Sequence, residues 1–301
     1  MLIDPARKYT DAELAKIEHN LQQMYSEAQS DLYRRWNKAL AAAKKAEDAL
    51  QKKLDAAIAK GDQKLIAQLK LERARLLRKH TIQSKKFQRD ADAIAGILSD
   101  VNASAVQLIN GHLKTVYSAN YNALNTQLPT AYQYGLVTPE TVKNLALGKL
   151  DYPRDLAFNR RYINNQILQG IIHGESIPKI AKRIQNVVGM DKAAAVRTAR
   201  TNVTYAENKG RFDSYEAAEE NGTVLRKMWA ATHDSRVRHS HLMCEAESDR
   251  NHGLELDKRF ANGLLYPGDP DGEDAEVYNC RCALGVEIVG FKDRFGRIHY
   301  V

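Results

Sequence analysis

The 301-residue sequence has only three cysteines, seven prolines and 7% aromatic residues. Two of the cysteines sit together as Cys280-Arg-Cys282, which excludes the disulfide framework of a small secreted scaffold. No apolar run nears the roughly 20 residues of a membrane helix, and even Ala91 to Leu98 carries Asp92. No basic stretch followed by an apolar one opens the chain, so export by a signal peptide is not expected. The scarcity of aromatics, with Ala, Leu, Lys, Gln and Asn dominating the first half, excludes a mostly β protein. A mean hydropathy of −0.52 points to a soluble protein long enough for one large or two ordinary domains.

Charge is abundant and unevenly placed. Residues 1–90 hold 20 Lys/Arg against 12 Asp/Glu, residues 91–210 hold 13 against 8, and residues 211–301 hold 12 against 17. A basic N-terminal part therefore precedes an acidic C-terminal one, which suggests a polyanion or an acidic protein as partner for the first. The alternative is a lysine-rich helix surface that serves only solubility.

From Asp11 to about Gln127 the pattern is helical almost without interruption. Leu14, Ile17, Leu21, Met24 and Ala28 recur at steps of three and four, as do Trp36, Leu40, Ala43, Glu47, Leu50, Leu54 and Ala57. Those are coiled-coil seams rather than wide globular faces. Gly61-Asp62 breaks the run, and the seam resumes with Leu65, Leu69 and Leu76, then Ile94, Leu98, Val101, Ala105 and Leu108. The expectation is a helical hairpin turning at Lys60 to Gln63, an extended arm over residues 1–128 so poor in large apolar side chains that it folds against a partner. A helical middle region follows over 129–222. In it Pro129 ends the arm, Thr138-Pro139 starts a short helix, Tyr152-Pro153 turns, and Asn159 to His173 is a helix closed by Gly174. A helix from Ser176 to Val188 and a separate one capped by Asp191 and running to Glu220 complete it. After Gly222 the character changes to a small α+β module over 223–301, with strands at Thr223 to Thr232 and Cys282 to Val289 and a hairpin turning at Arg294-Phe-Gly296. The fold class is mainly α.

The module holds the dense chemistry. Trp229-Ala-Ala-Thr-His-Asp234-Ser-Arg236-Val-Arg238-His239-Ser-His241 is answered by Pro267-Gly-Asp-Pro270 and Asn279-Cys280-Arg281-Cys282. Thiolates and imidazoles are the ligands zinc prefers. His241 and Cys244, at i and i+3, share a helix face, and Cys280 and Cys282, at i and i+2, share one face of a strand. Together they are a candidate structural zinc site, with His239 and His252 as further donors. The competing reading is two small buried thiols, with His241 bonded to an acid such as Asp234. Asp234, Arg236 and Arg238 read as a salt-bridge network holding the loop. An enzymatic alternative makes His239, His241, Arg236 and Arg238 the acid, base and phosphate clamp of a ribonuclease-like or toxin-like module. No Ser-His-Asp, Walker or dinucleotide pattern supports other chemistry, and no catalytic residue is assigned. Asp269-Pro-Asp271-Gly-Glu273-Asp274 lacks the spacing of a calcium loop and reads as a solvated loop.

These residues together resemble the signature of phage minor head proteins of the Mu F-like head morphogenesis family. The shared pattern is the Trp229 strand, then Asp234-x-Arg236-x-Arg238-x-x-His241, Pro267-Gly-Asp-Pro and Asn279-Cys280-Arg281-Cys282. Thr198-Ala-Arg200-Thr201-Asn202 and Asn208-Lys-Gly210 resemble the preceding helix, with Asn202 and Cys244 as departures. The resemblance covers about 155–290. It implies a virion component of a tailed phage, present in few copies in the capsid interior and assembled in the host cytoplasm. It further implies portal, capsid or scaffold proteins as partners and a contact with packaged DNA that affects ejection. The basic arm fits a sequence-independent contact with double-stranded DNA. Its candidates are Lys16, Arg34, Arg35, Lys44, Lys45, Lys52, Lys53, Arg73, Arg75, Arg78, Lys79, Lys85, Lys86 and Arg89.

Overall fold

The computed structural model describes residues 5–142 and 156–301, so the expected Tyr152-Pro153 turn lies outside the described residues. Among these, α1 spans Pro5–Ala59, α2 Gln63–His80, α3 Lys85–Asn125, α4 Leu156–Ile172, α5 Ile177–Glu220, α6 His239–Arg250 and α7 Asp274–Val277. The strands are β1 (Thr223–Ala230), β2 (Ala283–Lys292) and β3 (Ile298–Tyr300), in one antiparallel sheet of order β1-β2-β3. The mainly α class with a small C-terminal sheet is thus present. No helix among the described residues is long and apolar enough to cross a membrane. The chain divides into two compact units, Met1–His19 with Gln107–Asp151 and Val196–Val301, and Asn20–Val106 with Tyr152–Ala195.

The second unit contains the expected hairpin turn. Gly61 takes a left-handed φ of +69°, and the Asp62 carboxylate caps α2 by accepting from Leu65 N. Leu54, Ala57, Ile66 and Leu69 pack at the tip, and Trp36 meets Phe87 edge to face at 5.4 Å. The long return helix is broken at Thr81, however, where two β-branched residues precede Ser84, whose hydroxyl accepts from Phe87 N and starts α3. The buried positions of α2 are Ile66, Leu69, Arg73 and Leu77, one residue on from the expected Leu65 and Leu76. Along α1, Ile17, Leu21 and Tyr25, and then Ala28, Leu32, Trp36 and Leu40, are buried at steps of four. Only from Leu40 to Ala57 does the strict alternation of a coiled-coil seam hold.

Two charged seam positions explain the shift. Arg73 is buried and donates through Nε to Glu47 Oε1 at 2.8 Å, with a second bond from its NH2 to the same oxygen. Its remaining donors reach Gly174 O (2.7 Å) and Glu175 O (2.9 Å), while the other Glu47 oxygen accepts from Ile177 N at the start of α5. Arg73 is therefore a structural residue, which removes it from the DNA-facing candidates. Asp191 does not cap a helix. It lies buried within the continuous α5 and accepts from Asn102 Nδ2, whose own carbonyl accepts from Tyr25 OH. A buried carboxylate with such partners does not need a chain break, so the two expected helices are one.

In the first unit, a core of Leu225, Trp229, Phe260, Leu264, Tyr266 and Leu284 joins the sheet to Phe212 and Tyr215 of α5. β1 alternates buried and half-buried residues, and this register turns Lys227 inward between Leu225 and Trp229. Its ammonium donates to Leu256 O (2.8 Å) and Leu265 O (2.9 Å) and lies over the rings of Phe212 and Phe260. Burial pulls its pKa down to about 8, with Asp257, Asp269 and Glu216 favouring the charge and Arg259 opposing it. The unfolded chain binds the proton up to its ordinary value near 10.5, so folding releases a proton between these limits and stability rises with pH there. Burial works the other way on Cys244, whose thiol it raises, and on the hydroxyls of Tyr134 and Tyr266, so their contributions fall with pH above about 9 and 10. From pH 8 to 10, urea unfolding of the native chain should therefore gain about 2 kcal/mol relative to a Lys227→Met variant. Parallel pH profiles for the two proteins would remove Lys227 as the source.

Candidate metal centre

One face of α5 sets the geometry of the C-terminal module. Thr201, Thr204, Asn208, Arg211 and Tyr215 recur at steps of three and four, so they line a single stripe of the helix. Each bonds the backbone of the segment leading into β2. Asn279 N donates to Thr201 Oγ1 (3.1 Å), and Thr204 Oγ1 donates to Cys280 O (2.7 Å). The Asn208 amide spans Cys282 O (3.1 Å) and Leu284 N (2.7 Å). Arg211 and Tyr215 both donate to Leu284 O. Burying this backbone without partners would cost free energy at every group, so the polar stripe does for the segment what a neighbouring strand would do.

The stripe holds two thiols opposite α6. His241 Nδ1 lies 3.3 Å from Cys282 Sγ and 3.7 Å from Cys280 Sγ, and the three ligand atoms lie within 4.8 Å of one another. All three side chains are buried. The other ring nitrogen, Nε2, is 3.0 Å from Glu276 Oε2, though off the line of an ideal ring N–H bond. Ser240 Oγ and Asn262 Nδ2 also donate to that carboxylate. Trp229 packs its ring edge to face on His241 at 5.2 Å. The Cys280 thiol donates to Cys282, which holds Cys280 well above and Cys282 well below the ordinary thiol range; burial adds to the first shift and His241 to the second.

The three donors are of the kind zinc takes, one fewer than the four of a closed structural site. In a tetrahedron with Zn–S of about 2.3 Å and Zn–N of about 2.0 Å, ligand atoms stand about 3.5–3.8 Å apart, close to the spacing seen here. A carboxylate behind the far nitrogen is the usual support for a ligating imidazole. Cys280 and Cys282 reach the cluster from the turn before β2 and not from a strand face, because Asn279 takes a left-handed φ of 54° that swings the chain round. Cys244 is fully buried on α6, where burial pushes its thiol up to about 11, but it is not among the clustered atoms. His239 and His252 are exposed and stand outside the cluster as well.

The expected arginine network takes another form. Asp234 is held by both terminal nitrogens of Arg281, and those bonds keep its carboxyl well below the usual range. Arg238 donates to Tyr278 O, and Arg236 is exposed. Asp269 is buried and accepts from Leu265 N and Asp271 N, so its loop is organised from within.

A family model described as phage Mu protein F like protein matches residues 161–285, the stretch that carries this stripe and cluster. Those residues belong to the phage Mu F-like family. Over 69% of its length the chain is 27% identical to minor head protein GP7 of Bacillus phage SPP1, covering 70% of that protein. Over 50% of its length it is 29% identical to the NAD(+)--arginine ADP-ribosyltransferase EFV of Enterococcus faecalis (strain ATCC 700802 / V583), of which it spans only 30%. No solved structure matches.

Within the Mu F-like stretch the structure gives several signature residues a task. Asn208 clamps the turn before β2, and Gly210 lets α3 approach, since a Cβ there would stand 2.5 Å from Tyr117 O. Gly268, at φ +82°, passes against the α5 backbone at Tyr205. Asn202 is buried and bonds Thr198 O. Apolar spacing does not reveal the polar stripe; its signal in the sequence is Thr201, Thr204, Asn208, Arg211 and Tyr215 at heptad spacing.

Proposed function

We propose that the chain is a minor head protein of a tailed phage, a structural component acting in head morphogenesis inside the capsid. The observation that carries this reading is the match to a phage minor head protein along 69% of the chain, which extends well beyond the Mu F-like stretch. The acidic C-terminal module is the part that docks to portal or capsid subunits, and a structural zinc held by His241, Cys280 and Cys282 stiffens it. The helical hairpin supplies a diffuse contact with packaged DNA. Arg34, Arg35, Lys44, Lys45, Lys52, Lys53, Arg78, Lys79, Lys85 and Lys86 are all exposed, and of these Arg34 and Arg35 share Asp31.

The nuclease-like alternative needs two imidazoles, one as acid and one as base. His239 is exposed, but His241 is buried between two thiols and Glu276, which argues for a ligand and against an acid–base role for it.

Both units draw on α1, α3 and α5, so the test uses the whole chain. Mixed with portal or with procapsids lacking this chain, it should sediment with them, and failure to do so would sink the assembly role. For DNA, log Kd should vary linearly with log salt for unrelated duplexes alike. Replacing Lys44, Lys45, Lys52 and Lys53 with Gln should make that slope shallower by up to about three to four. No binding at about 50 mM salt would discard the DNA contact and leave the docking role standing.

A further inference from the structure

A cavity of about 600 Å³ lies in the first unit. Six guanidiniums line it: Arg7, Arg197, Arg200, Arg236, Arg238 and Arg281. Three carboxylates share the wall, Asp11, Glu18 and Glu207. Most of the arginines are already engaged. Arg7 pairs with Glu207 at 2.9 Å, Arg200 with Glu18 at 2.6 Å and Arg281 with Asp234, while Arg238 donates to Tyr278 O. Arg197 and Arg236 are exposed and make no side-chain hydrogen bond or ion pair among the described residues. A cleft with this surplus of arginine is charge set apart for an anion.

The lining selects among anions. A duplex is too wide to enter a cavity of this size. A single strand carries negative charge at every nucleotide, which Asp11 and Glu18 would oppose, and no aromatic side chain lines the cleft for a base to stack on. A peptide can place carboxylates against the arginines and other groups against the acids, and the amide of the exposed Asn279 is there to pair with its backbone. We propose that this cleft docks an acidic peptide segment of a partner protein, with Arg197 and Arg236 as its unpaired anchors. The idea goes beyond the head reading and can hold or fail without it.

The test is fluorescence anisotropy of the full chain with a labelled dodecapeptide of alternating Glu and Ala, beside a labelled twelve-nucleotide oligothymidine. The peptide should bind at low salt and weaken as salt is added. Its affinity should fall ten-fold or more with Arg197→Ala/Arg236→Ala, and hold with Arg250→Ala/Arg294→Ala, two exposed arginines elsewhere. A peptide with Gln for Glu should not bind, a control that leaves the protein's fold untouched. The proposal is overturned by no peptide binding at low salt, by equal binding of the Gln peptide, or by affinity unchanged in the Arg197/Arg236 variant. Tighter binding of the oligonucleotide, lost in that same variant, would also overturn it and assign the cleft to phosphodiesters.

Discussion

Replacing Arg73 with methionine should destabilise the helical hairpin by about 3–5 kcal/mol, the cost of leaving a buried carboxylate without its partner. Glu47 and Arg73 are 4% and 8% exposed, so little of the pair meets water even though it lines a cleft. The same substitution frees Gly174 O and Glu175 O, the carbonyls at the turn from α4 to α5. The double variant Glu47→Leu/Arg73→Met should lose less than Arg73→Met alone, because the uncompensated charge is gone while Ile177 N loses its cap. Chemical denaturation of the native chain, Arg73→Met, Glu47→Leu and the double variant gives the coupling energy directly. If Arg73→Met cost under about 1 kcal/mol, the pair would be no stronger than a surface ion pair and would not anchor the hairpin to the turn before α5.

That pair shows where reading the sequence stopped. The hairpin, its turn at Gly61 and the shift to a sheet after Gly222 were legible because they depend on local signals, namely apolar spacing, glycine with positive φ and β-branched alternation. Glu47 was placed in the seam, and the structure keeps it there. What spacing alone does not reveal is its partner, which comes from another helix and itself occupies a seam position. Asp191 reads as a cap for the same reason. An acidic residue after Gly189-Met190 has the local form of a helix start, and only Asn102, 89 residues away, makes it a buried helix-interior acceptor. Lys227 was also within reach of the sequence. In a strand whose inward residues include Leu225 and Trp229, alternation puts position 227 inward too, yet a lysine there is believable only once Leu256 O and Leu265 O are in place. In each case the polar group was visible and its tertiary partner was not.

Changing Cys282 to serine should strip the C-terminal module of a metal and lower its unfolding free energy by several kcal/mol, since metal binding free energy is folding free energy where the site forms only in the folded chain. His241 Nδ1 faces both thiols within 3.7 Å, and Glu276 stands behind the ring, so the three donors converge as the ligands of one ion would. Cys244 supplies the internal control. It is as buried as the others and lies outside the cluster, so Cys244→Ser should cost only the packing of one thiol and leave metal content unchanged. Elemental analysis of the purified full-length protein should find one zinc per chain in the native and Cys244→Ser forms and none with Cys282→Ser. A chelator should then bring the native unfolding curve onto that of Cys282→Ser while leaving the latter where it was. Glu276→Gln should keep the metal but weaken its affinity about 10–100-fold, as loss of the group behind a ligating histidine does. Were the native protein metal-free, with both serine variants equally and mildly destabilised, Cys280 and Cys282 would be packing thiols. The module would then owe its order to the polar stripe of α5 and to the hydrophobic core around Trp229.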